Sequence, residues 1–223
     1  MSIGNILLLS QVTIYVITFL FSLFIVIPLT VYEAQFNGHC LLFATGDLNV
    51  SSLPVEQLTV QWGDGGYCKY PIVMGILALP LSLFYILWMS LHLFKDYDLS
   101  WLASFVALVT SVTASFLMLV AGIILTTGFK KWCDFLRRSI ASSCDVGEIV
   151  QFSIGEDIDK SGYYVEFGMA QFGTWLSWIC WVIQTGLASI KLWRFHRQEN
   201  FFISMKRERT RLIQRMGNNN EVL

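Results

Sequence analysis

Four long segments of this chain contain no Asp, Glu, Lys or Arg, and this feature restricts the fold more than any other. The first charged side chain is Glu33, and further charge-free windows cover residues 70–94, 99–129 and 167–190. About 20 apolar residues span a bilayer core as a helix, and a central charge costs about 3 kcal/mol on insertion scales. We therefore predict transmembrane helices near residues 6–30, 72–94, 100–127 and 167–190.

Composition supports a membrane protein. The chain is 55% hydrophobic and 14% charged, whereas soluble domains carry about 25% charged residues. The formal net charge of −1 gives no support to nucleic-acid binding. The first window lacks a basic start, and it is longer than the apolar core of about 7–15 residues that a signal peptide has. We therefore expect this window to be retained as a helix.

The distribution of Lys and Arg predicts the orientation in the membrane, since cytoplasmic loops carry the excess of basic residues. The densest basic stretch follows the fourth window, so the C-terminus is expected in the cytoplasm, and an even number of spans places the N-terminus there too. Residues 31–71 and 128–166 are then extracellular loops. We expect a four-pass domain at residues 1–194, a basic cytoplasmic tail at 195–223, and transport to the plasma membrane by the secretory pathway.

The cysteines fit this orientation. Cys40 and Cys68 fall in the first extracellular loop and Cys133 and Cys144 in the second, as an oxidising exterior would use them. Four cysteines allow three pairings; we favour pairing within each loop, and pairing between the loops is the alternative. Asn49 begins an Asn-Val-Ser triplet, which predicts N-glycosylation in the first loop.

The first extracellular loop contains two strand-like runs, at residues 39–44 and 57–62, and a Gly-rich turn is expected at 63–66. The second loop is expected to start as an extension of the third helix as far as Arg138. The predicted fold is an all-α membrane protein, a four-helix transmembrane bundle with a small β-rich, disulfide-tied first extracellular loop.

Small side chains recur every four residues on the third and fourth spans, a spacing that lets helix backbones approach closely. Such a face serves either packing inside the bundle, which we favour, or docking of another protein. The helix-packing candidates are Ala103, Ala107, Ser111, Ser115, Gly173 and Ser177.

Gln11 and Gln184 are strongly polar side chains within the predicted spans. An interhelical hydrogen bond there contributes roughly 1 kcal/mol, and a role in permeation is the alternative. Cys180 in the fourth span is expected to be an inert buried thiol.

The basic tail carries apolar residues near helical spacing, which predicts either an amphipathic helix on anionic lipid or charge that only sets topology. The lipid-contacting candidates are Lys206, Arg207, Arg209, Arg211 and Arg215.

Enzyme chemistry is not indicated. The spans hold no carboxylate, Lys or Arg, which argues against pumps and proton-coupled carriers, and phosphate-loop and nucleophile motifs are missing. Asp157 to Gly162 resembles half of a calcium loop, but Gly168 stands where the bidentate Glu is required. No catalytic residue, cofactor or metal site is therefore predicted.

Several short segments resemble one known family. They are Gly38-His39-Cys40-Leu41-Leu42-Phe43, Trp62-Gly63 with Cys68, Gly128-Phe129 with Trp132-Cys133-Asp134, Ser143-Cys144, and Ala170-Gln171-Phe172-Gly173 with Trp175 and Ser177-Trp178. On these residues the chain resembles the transmembrane protein 179 family. The resemblance implies a four-pass protein with paired outer cysteines, and it brings no established activity, catalytic residue or cofactor.

The predicted architecture also resembles that of claudin-like four-pass proteins, which share four spans, cytoplasmic termini and a β-rich first loop. Trp62-Gly63 followed by Cys68 is similar to the claudin first-loop signature. The chain differs by placing its other first-loop cysteine upstream, at Cys40, and by adding Cys133 and Cys144.

These observations predict a multi-pass membrane protein without enzymatic activity, an accessory subunit or adaptor that associates laterally with a channel or receptor complex. Its expected partners are the lipid bilayer and a larger membrane protein or further copies of itself, and not nucleic acid. The alternatives are a large-pore or junctional channel and a claudin-like adhesion or barrier protein.

Overall fold

The computed structural model describes residues 3–49, 57–95, 101–139, 144 and 162–220, and it is mostly helical. In chain order the elements are α1 (Ile3–Gln35), β1 (Cys40–Asn49), β2 (Gln57–Gly63), α2 (Gly65–Lys95), α3 (Trp101–Ser139) and α4 (Tyr163–Asn220).

Three of the described helices are long and apolar enough to cross a membrane. The candidate spans are Ile6–Gln35 in α1, Gly65–Leu93 in α2 and Trp101–Arg138 in α3. The predicted span at 167–190 lies within α4, which is not among these three candidate spans.

Several polar side chains of α4 face the inside of the bundle. Thr174, Ser177 and Gln184 are completely buried on this helix. A hydropathy average counts such inward-facing polar groups as if they met lipid, so it underrates a helix whose polar side is covered by its neighbours. The fourth span remains a prediction.

The ends of α1 and α2 follow from local capping chemistry. After α1 the chain turns through Asn37 and Gly38, both at positive φ, and the amide of Gly38 donates to the carbonyl of Glu33 at 2.9 Å, as at many helix C-termini. The sequence predicted a turn over residues 63–66. Instead α2 begins at Gly65, because Asp64 Oδ1 accepts a hydrogen bond from the amide of Gly66 at 2.8 Å and caps the helix.

The strands form an antiparallel pair in which Thr45 lies opposite Gln61 and Asn49 opposite Gln57. The register shifts between Cys40 and Thr45, where Phe43 has a positive φ of 62°. The predicted strand pair is confirmed, and β1 extends five residues beyond the predicted 39–44 to Asn49.

Glycines mark where neighbouring elements approach most closely. A Cβ at Gly173 of α4 would lie 2.9 Å from the Cβ of Phe24 in α1, and one at Gly75 of α2 would lie 2.8 Å from Val26 in α1. A Cβ at Gly128 of α3 would lie 2.6 Å from Leu42, so the sheet packs directly on α3. Among adjacent helices, α2 and α3 touch least extensively.

All four helices continue beyond the predicted spans, and α3 and α4 do so furthest. The extension of α3 is confirmed, since α3 continues to Ser139. α4 continues unbroken to Asn220, so the predicted boundary between a four-pass domain and a tail at residue 195 falls inside one helix. That boundary remains a proposal.

Candidate interaction surfaces

A disulfide fixes the sheet to one end of the bundle. Cys40, the first residue of β1, is bonded to Cys68 in the first turn of α2, with a Cα–Cα distance of 5.7 Å. Both cysteines are buried. We call this end of the molecule the head; it comprises the sheet, the adjoining ends of α1 and α3, and the first turns of α2 and α4.

Tyr32 holds the chain between α1 and β1. Its hydroxyl accepts a hydrogen bond from the amide of Leu41 at 2.7 Å and donates one to the carbonyl of His39 at 2.9 Å. Because Tyr32 is only 1% exposed, these two backbone groups obtain partners that water could not readily supply. One side chain thus fixes the start of β1 relative to α1.

A second disulfide closes the other side of the head. Cys133 on the extension of α3 is bonded to Cys144, 11 residues further along the chain. The hydroxyl of Tyr163, at the start of α4, donates to the carbonyl of Cys144 at 2.6 Å. Each disulfide joins the two cysteines of one predicted loop, Cys40 with Cys68 and Cys133 with Cys144, which is the pairing that the sequence favoured. Cys180 is a free, buried cysteine.

Aromatic rings fill the space beneath the sheet. The ring of Phe167 stacks on Phe129 at a centroid distance of 5.0 Å and meets Tyr32 edge-on at 4.7 Å. Phe36 meets Tyr163 at 6.3 Å. Such pairs contribute about 0.5–1.5 kcal/mol each beyond their buried area, so the head is a packed unit joined to all four helices.

Part of the head is left open to the surroundings. Tyr67 is 44% exposed and packs on Phe43, with the ring centroids 4.8 Å apart, and Lys131 Nζ lies 5.8 Å from the Phe43 centroid. Nearby, His39 stacks on Trp62 at 4.9 Å. This mixture of aromatic and basic side chains could contact a protein partner.

Two sequence-predicted features of the loops fall partly or wholly outside the described residues. Asn49 ends β1, but the Ser51 of its acceptor triplet is not among them, so glycosylation stays a prediction. The residues 157–161 of the calcium-like segment are likewise outside. Within the described part of the chain, no group of three or more His, Cys, Asp or Glu side chains could hold a metal ion.

The interior of the bundle contains polar groups that are sealed from the outside. Gln184 Nε2 donates to the carbonyl of Gln11 at 2.7 Å, joining α4 to α1. The Oε1 atoms of Gln11 and Gln184 and the indole nitrogen of Trp181 are buried, and within the described residues they have no hydrogen-bond partner. One turn further along α1, the ring of Tyr15 stacks on Tyr85 at a centroid distance of 5.0 Å and meets Trp181 edge-on at 5.9 Å.

The small residues at four-residue spacing lie mainly inside the molecule. Ala107, Ser111 and Ser177 are buried and Gly173 contacts α1. Ala103 and Ser115 are half-buried. The placement fits packing within the bundle, and a docking role for these residues is left without support from their exposure.

A crevice opens between α2 and α3, the adjacent helices that touch least. Its volume is about 330 Å³, and it is lined by residues of α2 from Met74 to Leu81, residues of α3 from Val109 to Met118, and Trp181 of α4. Both stretches lie within the candidate spans.

The basic candidates of the tail lie on the last part of α4. Lys206, Arg207 and Arg209 are exposed. Arg211 and Arg215 belong to the same helix, and their side chains are outside the described part. Lipid contact by these five residues remains a prediction.

Two features of this geometry were missed in the sequence. Tyr32 binds backbone groups seven and nine residues further along the chain. The one hint of this role in the sequence is its position, near the end of a predicted span and shortly before Gly38. The crevice depends on Ala78 and Ala114 facing each other across two helices, which a single sequence does not reveal.

The comparisons with known proteins agree with the resemblance found in the sequence. Transmembrane protein 179B of Danio rerio is 23% identical over 192 residues, which cover 82% of this chain and 83% of the relative. Transmembrane protein 179B of Mus musculus is 26% identical over 157 residues, covering 70% of this chain and 69% of the relative. No solved structure gave a significant match.

The match to a family model covers most of the chain. The model is described as the transmembrane protein 179/179B claudin domain, and it matches residues 7–213. This range includes α2, α3, most of α1 and α4, the sheet and both disulfides. The chain therefore belongs to the transmembrane protein 179/179B claudin-domain family.

Proposed function

We propose that this protein is a non-enzymatic accessory subunit or adaptor that associates laterally with a larger channel or receptor in the plasma membrane. In this proposal the chain crosses the membrane four times, with the head outside and both termini in the cytoplasm. The membrane family and the three candidate spans support the location, and the concentration of Lys and Arg in the last part of α4 supports the orientation.

The observation that carries this proposal is the closed interior of the bundle. Tyr15, Tyr85 and Trp181 pack together across its centre, and the space lined by Gln11 and Ser104 is too narrow for a water molecule. A single copy packed in this way can contact other molecules through its outer helix faces and its head. Its interior is not shaped to conduct ions or solutes.

The outer helix faces provide a large apolar surface for lateral contact. Leu102 and Phe116 on α3 are each 64% exposed, and Leu91 on α2 is 59% exposed. A second membrane protein could cover these side chains at little cost, because association in lipid depends on packing between helices.

Affinity purification of the tagged full chain from native membranes in mild detergent tests the proposal. We expect one larger membrane protein to be recovered in constant ratio, and its recovery to fall when Phe116→Ala removes an outer contact. Tyr67→Ala changes an exposed side chain of the head and serves as the matched control. Recovery of the bare chain alone from native tissue would count against lateral association.

Adhesion or barrier formation through the head is the second candidate, favoured by the claudin-domain description of the family and by the exposed Tyr67. If the protein acts in adhesion, Tyr67→Ala becomes the test variant and Phe116→Ala becomes its control. Tyr67→Ala should reduce aggregation of cells that express the protein, and Phe116→Ala should not. A ring of copies around a central opening in particle images would instead favour the large-pore channel.

A further inference from the structure

The crevice between α2 and α3 has a defined position in the fold. At its head side, the hydroxyl of Tyr70 on α2 donates to the carbonyl of Leu117 on α3 at 3.3 Å and joins the two helices. Further along α2, the facing residues include the small Ala78 and Ala114, and the two helices leave a gap. Because Leu77 is 55% exposed and Val109 49% exposed at its rim, the gap opens on the outer surface of the bundle.

The walls of this crevice present little polarity to a ligand, because the indole nitrogen of Trp181 is buried away from the surface. Its two hydroxyl side chains belong to Thr110 and Thr113, which donate to the carbonyls of Val106 and Val109 on their own helix at 2.8 and 3.0 Å. The remaining lining residues are aliphatic, methionine or Trp181. Such a lining favours a hydrocarbon occupant, since a polar one would lose its hydrogen bonds to water.

The position within the candidate spans decides which hydrocarbon is available. The lining stretches lie inside Gly65–Leu93 and Trp101–Arg138, so a rim that is open here faces the lipid chains of a bilayer. Met74 and Met118 line the crevice, and methionine side chains adapt to an irregular, flexible guest.

We propose that the α2–α3 crevice holds one acyl chain of a phospholipid as a bound component of the protein. The chain fills the gap below the Tyr70–Leu117 hydrogen bond and completes the packing between α2 and α3. This site is independent of the lateral protein partner proposed above, because it needs only the bilayer.

The test uses the full chain in nanodiscs that contain a phosphatidylcholine with a photoreactive diazirine in one acyl chain. After irradiation, mass spectrometry locates the adducts. We expect more adducts on the crevice residues of α2, from Met74 to Leu81, and of α3, from Val109 to Met118, than on the exposed apolar residues of α1. One phospholipid should also remain bound in native mass spectra after detergent exchange.

Filling the crevice should displace the acyl chain. Ala114→Phe places a phenyl group where at least two methylenes would lie, so we expect adducts in the crevice to fall roughly ten-fold. Val112→Phe is the matched control, since Val112 is 49% exposed on the same helix and does not line the crevice. If Ala114→Phe fails to fold, Ala78→Phe fills the same space from the opposite wall.

Several results would overturn the proposal. Adducts spread evenly over the exposed apolar surface, or equal loss in the filling variant and in Val112→Phe, would show ordinary lipid contact. Retention of a sterol in place of a phospholipid, or blockage of the crevice by a protein partner in complexes purified from native membranes, would assign it to another occupant. Failure to find a partner protein would leave the acyl-chain result unchanged.

Discussion

The head and the membrane-facing part of the bundle keep their elements together by different means. In the head, disulfides and backbone-directed hydrogen bonds from Tyr32 and Tyr163 fix short segments at specific atoms. Between the helices there is no disulfide among the described residues; close contacts at Gly75 and Gly173 bring the backbones together, and hydrogen bonds such as that from Gln184 to the carbonyl of Gln11 add to them. The head should therefore respond sharply to loss of single groups, whereas the bundle should respond to changes in volume.

The largest effect is expected from removing the disulfide that fixes the sheet. Replacing Cys40 and Cys68 together with Ser should lower the free energy of unfolding by about 3–4 kcal/mol, because the unfolded chain regains the freedom of a 28-residue loop. Unfolding by SDS titration in mixed micelles measures this change. Cys180→Ala removes a buried thiol that forms no disulfide, and it should cost far less. Equal losses would contradict the special role of the head.

The next effect concerns the hydroxyl of Tyr32. Tyr32→Phe keeps the ring in place but removes the hydroxyl that accepts a hydrogen bond from the buried amide of Leu41 and donates one to the carbonyl of His39. We expect a loss of about 1–3 kcal/mol in the free energy of unfolding, and faster hydrogen exchange of the Leu41 amide.

A matched variant separates this effect from loss of a phenol in general. Tyr67→Phe removes the hydroxyl of an exposed Tyr in the same region and should leave both measurements unchanged. If Tyr32→Phe were as mild as Tyr67→Phe, the aromatic packing and the disulfides alone would hold the head.

The same contrast explains how far the sequence could go. Charge-free windows predicted the helices, and the two cysteine pairs and the strand-like runs predicted the head. These features could be predicted because charged residues, cysteines and strand-forming residues can be recognised from the type of each residue alone. Which surface of each helix faces another depends on the relative rotation of the helices. That rotation brings Gly173 against Phe24 and leaves Ala78 and Ala114 on either side of a gap. The four-residue spacing of small residues marked Gly173 as a packing position, but it does not identify the residue that Gly173 meets on α1.

Two glycines of α4 test whether the bundle responds to changes in side-chain volume. Gly173→Ala adds a methyl group where α1 lies 2.9 Å away, and it should cost about 1–2 kcal/mol through overpacking. Gly168→Ala makes the same change where no atom lies within 4 Å, so it should be neutral or stabilise the helix by up to about 1 kcal/mol. Thermal unfolding of both variants in one detergent measures the difference, and opposite signs are expected.

The smallest effect is expected from the buried glutamine pair. Gln184→Leu removes the 2.7 Å hydrogen bond to the carbonyl of Gln11, and such bonds between membrane helices contribute about 0.6 kcal/mol on average. It also removes the Gln184 Oε1 atom, which is buried without a partner among the described residues, and this gain should offset much of the loss. SDS titration should therefore show little change. A loss as large as that of Tyr32→Phe would mean that the bundle, like the head, depends on individual polar contacts.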